Sequence, residues 1–212
     1  MNGETSQAPL SARRARTRRA LLDAAQALLA EGRTAVSIQE IADRAGVGFG
    51  SFYNFFTSKD ELFESALADT IEAYGALLQE LVADLDGPAE VFAASFRLTG
   101  RLQRRMPEQV RVLLHSGVSI LERDQGLAPW ARRDLRRGVE AGEFDLEDVE
   151  LGLMAVGGAL LGLLQMLDSR PEVDDADVAD RFTQRVLRAL GMPPERAAEI
   201  CARPLPELPG LP

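Results

Sequence analysis

The sequence predicts an all-α fold, with an N-terminal three-helix head that contains a helix-turn-helix and a C-terminal helical body. Apolar residues recur at spacings of three and four through most of the chain, which is the period of an amphipathic helix. Glycines and prolines divide the chain into segments of helical length. The alternating pattern of a half-buried strand is not evident, so we expect helices throughout.

The first helix is predicted over about residues 17–30. Its apolar residues recur at helical spacing on one inward face, namely Leu21, Ala25, Leu28 and Leu29. Residues 1–16 are polar and rich in arginine, and we expect a flexible basic arm there. The head itself is predicted to span residues 17–58.

A short second helix is predicted to begin at Ile38. Ser37 and Glu40 form a capping box, in which the serine hydroxyl accepts from the amide three residues on and the glutamate reaches back to the serine amide. The helix is predicted to end at Gly46, because glycine adopts the left-handed conformation of a helix stop.

A third short helix is predicted over about residues 48–55, with Phe52 and Phe56 one turn apart and facing inward. Two short helices joined by a glycine turn make a helix-turn-helix. In that motif the second helix enters the major groove of DNA. The head is therefore predicted to bind DNA.

The body is predicted over residues 59–203, followed by a mobile proline-rich tail over residues 204–212. Pro88 and Pro107 suit the first turns of helices, where the missing N–H costs nothing. The predicted helices cover about residues 59–85, residues 88–105, a segment from residue 107, a segment around residues 130–139, residues 151–167 and residues 177–190.

The charge is divided unevenly along the chain. The whole chain has a net charge of −9, but residues 1–59 carry eight basic and five acidic side chains, a net charge of +3. Residues 60–212 therefore carry −12. This asymmetry is typical of a DNA-reading head on an acidic body that DNA repels.

Cys201 and His115, the single cysteine and the single histidine, exclude several classes of site. One cysteine forms no intrachain disulfide, and the pair leaves no zinc-ligand cluster. The sequence has no Gly-rich phosphate loop and no nucleophile elbow, so we expect neither an enzyme nor a cofactor. No apolar stretch follows the N-terminal arginines as in a signal peptide, and we expect a cytoplasmic protein.

One segment, residues 151–167, is apolar enough to compare with a membrane span. It has 17 residues, of which only Gln165 is polar. It lies at the short limit for a span, and its flanks are acidic without the lysine and arginine excess of a cytoplasmic anchor. We therefore expect a buried helix and no membrane partner.

Several groups of residues in the head form one recognisable pattern. They are Glu31-Gly32, Ile41-Ala42, Ala45-Gly46-Val47, Gly50, Phe52-Tyr53, Phe56, Ser58-Lys59 and Leu62-Phe63. By these residue groups, the stretch of residues 18–66 resembles the tetracycline-repressor (TetR) family of bacterial transcription regulators. Residues 135–144, LRRGVEAGEF, are similar to that family's body, though less specifically.

Two residues depart from the family pattern. Gly48 stands where the family usually has Ser or Thr, and Phe55 stands where it usually has a phosphate-contacting His. Losing that imidazole removes one contact to the DNA backbone. Either the affinity for DNA is lower or the basic arm compensates.

The resemblance places Phe49, Gly50 and Ser51 at the edges of the bases. Phe49 can lie on a thymine methyl group, although inward packing is the alternative for this side chain. Tyr53 and Lys59 fit contacts to phosphate, with a solvated charge as the alternative for Lys59. The predicted DNA-binding residues are Arg13, Arg16, Arg18, Ser37, Gln39, Phe49, Gly50, Ser51, Tyr53, Asn54 and Lys59.

The resemblance also implies a two-fold dimer, in which the last two long helices form a four-helix bundle with those of the partner. Gly158 and Gly162 make a small-residue face that lets helices approach closely, and packing within the chain is the alternative. The predicted interface residues are Gly158, Gly162, Phe182 and Val186.

Body helices of the family enclose an effector pocket. Any of the candidates can instead be plain core, but His115 and Gln165 are favoured because a polar group among apolar neighbours needs a partner. The candidates are Phe92, Phe96, Met106, Leu113, His115, Trp130, Met154 and Gln165. We expect the effector to be small, mostly apolar, and neutral or cationic.

The predicted function is that of a homodimeric, ligand-responsive transcription regulator, a repressor, that binds a palindromic operator and is released by its effector. The alternative is a constitutive DNA-binding regulator without an effector.

Overall fold

The structure is a computed structural model that describes residues 7–124 and 126–207. Ten α-helices, one 3-10 helix and no strand lie within these residues, so the predicted all-α fold is confirmed. The helices are α1 Gln7–Ala30, α2 Ile38–Arg44, α3 Phe49–Phe52, α4 Lys59–Leu81, α5 Pro88–Arg105, α6 Pro107–Ser116, the 3-10 helix Gly117–Glu122, α7 Leu127–Glu140, α8 Val149–Ser169, α9 Asp175–Ala189 and α10 Pro194–Ala202.

The chain forms two compact units, residues 1–70 and residues 71–212, which we call the head and the body. The division falls inside α4, after Thr70, whereas the predicted boundary lay at its start. The head has its own core, built from one face of α1, from α2 and α3, and from the first turns of α4. The buried residues of this core are Leu21, Leu22, Ala25, Leu28, Val36, Ile41, Phe52, Phe56, Leu62, Phe63 and Ala66.

Helix α1 begins ten residues earlier than predicted. Its residues 7–16 are helical and continue α1, so the predicted start at Thr17 is wrong. Residues 7–16 include three alanines and three arginines, which are strong helix formers, and Pro9 sits in the first turn, where proline is tolerated. Residues 1–6 lie outside the described part of the chain.

The helix-turn-helix has the predicted order of elements, and its second helix, α3, is shorter than predicted. The Ser37 hydroxyl accepts from the Glu40 amide at 3.1 Å, and Gly46 has φ of +65°, so the predicted start and stop of α2 are confirmed. The Glu40 carboxylate, however, accepts from Arg33. Helix α3 ends at Phe52, earlier than the predicted residue 55, and continues as a turn.

In the body, α5 is the central helix and packs against α7, α8, α9 and α10. The bounds predicted for α5 are confirmed, whereas α4 ends at Leu81, four residues before the predicted end. Helix α10 was not predicted. Its signal was present in the sequence, since Pro194 lies in its first turn and Glu195 follows near the positive end of the helix dipole.

A charged cluster holds α5, α9 and the end of α10 together. Arg97 and Arg101 of α5 both bind the carboxylate of Asp180, with nitrogen–oxygen distances of 2.7 and 2.8 Å. Arg97 also donates to the carbonyl of Arg203 at 3.0 Å. Burial raises the pKa of Asp180, but the hydrogen bonds from the two arginines outweigh it and hold that pKa below its usual value.

Helix α8 is long and apolar enough to cross a membrane by length and composition alone. The helix predicted to be buried is buried along one face only, and 28% of its most apolar 18-residue stretch is buried. Leu153, Leu163, Leu164 and Leu167 face the body core, and the opposite face is open.

Candidate nucleic-acid interface and effector cavity

The exposed side of α3 carries two aromatic rings. Phe49 is 46% exposed and Tyr53 is 54% exposed, and their ring centroids lie 5.6 Å apart, edge to face. Inward packing, the alternative considered for Phe49, is therefore wrong. Gly50 is also exposed, and a Cβ placed on it would meet no atom within 4 Å. This surface is free to approach the floor of a DNA groove.

Several predicted DNA-binding residues also have partners within the head. The Lys59 ammonium donates to the carbonyls of Thr34 at 3.4 Å and Val36 at 3.2 Å, so it ties the start of α4 to the loop before α2. The Gln39 amide donates to Asp43 at 2.7 Å. Lys59 is thus more than the solvated charge considered as its alternative.

The N-terminal part of α1 lies beside the turn that follows α3. Arg14 stacks over the ring of Phe55, with its guanidinium carbon 5.5 Å from the ring centroid, and donates to the carbonyl of Asn54 at 3.5 Å. Arg18, one turn later, stacks over Phe56 at 5.7 Å. The arginines of the predicted arm are therefore held on a helix at the edge of the α3 surface.

The body encloses a cavity of about 100 Å³. Four of the eight predicted effector residues line it, and they are Phe92, Phe96, Leu113 and Trp130. The other lining residues are Leu78, Gln79, Ser95, Thr99, Ile120, Leu121, Leu127, Ala128, Ala131, Asp134, Leu153, Val156, Gly157, Leu160, Leu161 and Leu164. A small, mostly apolar space with a few polar groups is the usual form of a small-molecule site.

The two polar residues favoured from the sequence do not line this cavity. His115 and Gln165 are both exposed. The His115 ring bonds the Arg111 carbonyl at 2.8 Å, and the Gln165 amide donates to Ser169 at 3.0 Å. Both side chains lie on the outer faces of their helices. Met106, at the break between α5 and α6, and Met154, 44% exposed, also lie outside the lining.

The polar groups of the cavity come from other helices. Asp134 of α7 is 5% exposed, and its Oδ1 accepts from Arg133 at 2.8 and 3.0 Å. Arg133 also donates to Gln79 Oε1 at 2.7 Å, which links α7 to α4. The buried hydroxyl of Ser95 bonds to no described residue. Burial raises the pKa of Asp134, and the hydrogen bond from Arg133 offsets this only in part.

The comparisons with known proteins agree on one family. Residues 21–66 match the family model described as bacterial regulatory proteins, tetR family, and residues 87–203 match the one described as tetracyclin repressor-like, C-terminal domain. The chain belongs to the TetR family. The helix-turn-helix of α2 and α3 is that family's DNA-binding element.

Among the TetR-family relatives, the repressor KstR2 of Mycobacterium tuberculosis is 36% identical over 81 residues. That match spans 36% of this chain and only 40% of KstR2. The crystal structure of RolR in complex with resorcinol is 35% identical, with a TM-score of 0.65 over 93% of this chain and 98% of that chain. A regulator structure from a Shewanella species is 18% identical with a TM-score of 0.73, which shows the shared fold.

The exposed face of α8 is apolar and glycine-rich. Leu151 is 69% exposed and Met154 is 44% exposed. A Cβ placed on Gly158 or Gly162 would meet no atom within 4 Å, so packing within the chain does not explain these two glycines. Of the other two predicted interface residues, Phe182 stacks on Phe96 and Val186 is buried in the body's own core.

Sequence reasoning missed the polar residues of the cavity. Asp134 follows Trp130 by four residues and precedes Leu135, so it lies at the edge of the buried face of α7. A carboxylate at the edge of an apolar helical face is a signal that the sequence offers. Ser95 on α5 offers no comparable signal, because a serine fits a helix core as well as a site.

Proposed function

We propose that this TetR-family protein is a cytoplasmic homodimeric repressor. It binds a palindromic operator through α3 and is released by a small, neutral, hydroxylated aromatic compound that occupies the body cavity. The observation that carries this proposal is the buried Asp134 at the wall of an otherwise apolar cavity, in a chain whose head presents an exposed helix-turn-helix surface.

The head has the two components that DNA recognition needs. Arginines of α1 supply positive charge for the phosphate backbone, which carries most of the affinity. Phe49, Gly50 and Ser51 supply a compact surface for base edges, where an aromatic ring contacts thymine methyl groups and a hydroxyl bonds several bases. Tyr53 and Asn54, both exposed beside them, complete the surface that meets the DNA.

The size of the cavity limits its ligand to a single ring. The cavity measures about 100 Å³, less than the apolar cavity of about 150 Å³ that accommodates benzene, so its walls must move apart slightly to admit a ring. Phe92, Phe96 and Trp130 provide aromatic walls that a ring packs against. RolR, 35% identical over nearly its whole length, binds resorcinol, which supports a phenolic ligand for this chain.

Asp134 and Ser95 select the chemistry of the ligand. The carboxylate accepts a hydrogen bond from a ligand hydroxyl, and Ser95 supplies a buried hydroxyl without a partner among the described residues. A ligand without polar groups leaves the Ser95 hydroxyl unsatisfied, which costs about 1 to 3 kcal/mol. An anionic ligand such as benzoate meets the carboxylate with like charge and is excluded.

The release of DNA is a population shift. A ligand that binds one conformer of the dimer better than the other moves the equilibrium toward that conformer, whose two α3 helices no longer match successive major grooves. Thermodynamic linkage requires that operator binding lower the affinity for the ligand by the same factor by which ligand binding lowers the affinity for the operator.

The open face of α8 is the proposed dimer interface. Exposed apolar residues recur along it at helical spacing, at Leu151, Met154 and Ala155, and the glycines Gly158 and Gly162 follow. A second copy of the chain that packs its own α8 and α9 against this face buries these residues, and the glycines allow close approach of the two backbones.

The test combines an operator selection with a ligand series. The full-length protein is used to select bound fragments from random DNA, and the proposal predicts an inverted repeat whose half-sites lie about one helical turn apart. Resorcinol, phenol and benzoate are then added to the complex. We expect release by the neutral phenols and none by benzoate. A complex that no neutral phenol releases contradicts the effector, and selection of no sequence contradicts the regulator.

A further inference from the structure

Two arginines of α1 lie over the rings of two consecutive phenylalanines. Arg14 lies over Phe55 and Arg18 lies over Phe56, with distances of 5.5 and 5.7 Å from guanidinium carbon to ring centroid. The arginines are four residues apart, so they share one face of the helix. Phe56 is fully buried in the head core and Phe55 packs against that core. The N-terminal half of α1 is thereby fixed against the turn that follows α3.

A crevice of about 360 Å³ opens between these two segments. Arg13, Arg14 and Thr17 of α1 line one side, and Ser51, Asn54 and Phe55 line the other. The lining includes two guanidinium groups, two hydroxyls and an amide, and it includes no carboxylate. Its charge is therefore positive, and its polar groups include many hydrogen-bond donors.

The partner of Arg14 is an aromatic ring, which leaves its charge intact. Arg19 in the same helix, by contrast, bonds Asp23 at 2.7 Å, so a carboxylate neutralises it. The contact with the Phe55 ring and one N–H that donates to the Asn54 carbonyl at 3.5 Å restrain the Arg14 guanidinium. The remaining N–H groups are held in a fixed fork, a geometry that matches the oxygens of a phosphate.

We propose that this crevice binds one phosphate of the DNA backbone, with Arg14 as the main donor and Phe55 as a positioning residue that orients it. The proposal rests on the proposed DNA-binding function. Because Ser51 lies in both the crevice and the base-reading surface, this phosphate contact fixes the register of α3 in the groove. A guanidinium that is already oriented loses less entropy on binding than a free side chain does.

The test measures the affinity of the full-length protein for its selected operator at several salt concentrations. Arg14→Ala removes one phosphate contact per protomer, so the slope of log affinity against log salt falls by about 0.9 per protomer. Phe55→Leu keeps the charge but removes the stack. We expect weaker binding in Phe55→Leu with an unchanged slope, and no further effect of Phe55→Leu when Arg14 is already alanine.

Three controls keep this test decisive. Arg105→Ala changes the net charge equally in the body and should leave the slope unchanged. Arg14→Lys keeps the charge without the planar stack, should bind between wild type and Arg14→Ala, and covers the case in which Phe55→Leu misfolds. Inorganic phosphate at constant ionic strength should compete with operator for the wild-type protein more effectively than for Arg14→Ala. Equal competition in both proteins contradicts a phosphate site at the crevice.

The outcomes separate this proposal from the regulator function. An unchanged salt slope in Arg14→Ala, while the wild type binds its operator, overturns the crevice and leaves the regulator intact. Additive effects of Arg14→Ala and Phe55→Leu overturn the positioning role of Phe55. A wild-type protein that binds no DNA at any salt concentration overturns both.

Discussion

The ring of Trp130 lies directly on the backbone of Gly75. A Cβ placed on this glycine would come within 2.0 Å of Cζ3 of the indole, closer than any real contact. Gly75 belongs to α4, and Trp130 of α7 forms a wall of the cavity. A ligand that moves the indole therefore acts on α4 without an intermediate side chain, and α4 also contributes Leu78 and Gln79 to the cavity lining.

Gly75→Ala should displace Trp130 and destabilise the body. The added methyl group overpacks a rigid contact, which typically costs about 1 to 3 kcal/mol. Thermal unfolding of the purified variant measures this loss. In a chain that also carries Trp130→Leu, the smaller side chain makes room for the methyl group. Gly75→Ala should then lower the stability little relative to Trp130→Leu alone. If Gly75→Ala is as stable as wild type, the contact between the two helices is not tight.

Asp134→Asn should stabilise the free protein at neutral pH and weaken its response to phenols, because a neutral amide oxygen accepts a weaker hydrogen bond than a carboxylate does. The pKa of Asp134 is raised in the folded state, chiefly by burial, so the ionised carboxylate costs stability. That cost is absent below the ordinary carboxyl pKa of 3.8 and is present in full once the pH exceeds the raised value. The advantage of the Asn variant over wild type should therefore grow with pH and vanish in acid.

Unfolding curves of both proteins across this pH range measure the difference. Glu150→Gln is the matched control, because Glu150 is an exposed carboxylate that pairs with Arg132. It should show no such gain at neutral pH. If the free energies of unfolding of wild type and Asp134→Asn differ by the same amount at every pH, ionised Asp134 is not destabilised by burial. This result contradicts its place in the cavity wall.

Local sequence signals predicted most of the helix bounds, because they act over a few residues. Pro88 fixed the start of α5, and Ser37 and Gly46 fixed the two ends of α2. The cavity was predicted only in part. Phe92 and Trp130 were found as apolar residues on body helices, but whether a side chain lines a cavity depends on how α4, α5 and α7 pack. His115 shows this limit, since its position on α6 faces solvent.

Phe49→Ala should change which operator bases are preferred and leave folding intact. The ring is half exposed, so truncation removes little buried surface. Loss of a thymine contact costs on the order of 1 to 3 kcal/mol at particular positions of the operator. Binding to a set of single-base operator variants measures it. A uniform loss over all variants means that Phe49 makes no base contact.

Lys59→Ala should weaken the binding of every DNA sequence and also loosen the head. The ammonium holds the carbonyls of Thr34 and Val36 just before the N-cap of α2. Loss of a hydrogen bond to a charged group costs about 1.5 to 3 kcal/mol. Hydrogen exchange of the α2 amides is measured in Lys59→Ala and in Arg16→Ala, and the comparison separates the loss of DNA affinity from the loosening of the head. Arg16→Ala should reduce the salt dependence and leave exchange unchanged, and faster exchange in both variants contradicts this assignment.

Gly158→Leu combined with Gly162→Leu should give a monomer or an aggregate. Neither glycine touches another part of its own chain, so two leucines fit the isolated protomer but not a close crossing of two helices. Sedimentation of the wild type and the double variant measures the change. Gly50→Ala is the control, because a Cβ at this position in the head meets no atom within 4 Å, and this variant should stay dimeric. Gly142→Ala is unsuitable as a control, because φ at Gly142 is +71°. A double variant that stays dimeric places the interface elsewhere.

The most direct test of a ligand-released repressor is the reciprocal titration of operator and ligand. Fluorescence anisotropy of labelled operator is measured with wild type and with Asp134→Asn at increasing resorcinol concentration, and resorcinol affinity is measured with and without operator. We predict that resorcinol weakens the wild-type complex by the factor by which operator weakens resorcinol binding, and that Asp134→Asn releases its operator only at higher resorcinol concentrations, because the amide oxygen is a weaker acceptor than the carboxylate. Resorcinol that binds the wild-type protein while leaving operator affinity unchanged would contradict the account.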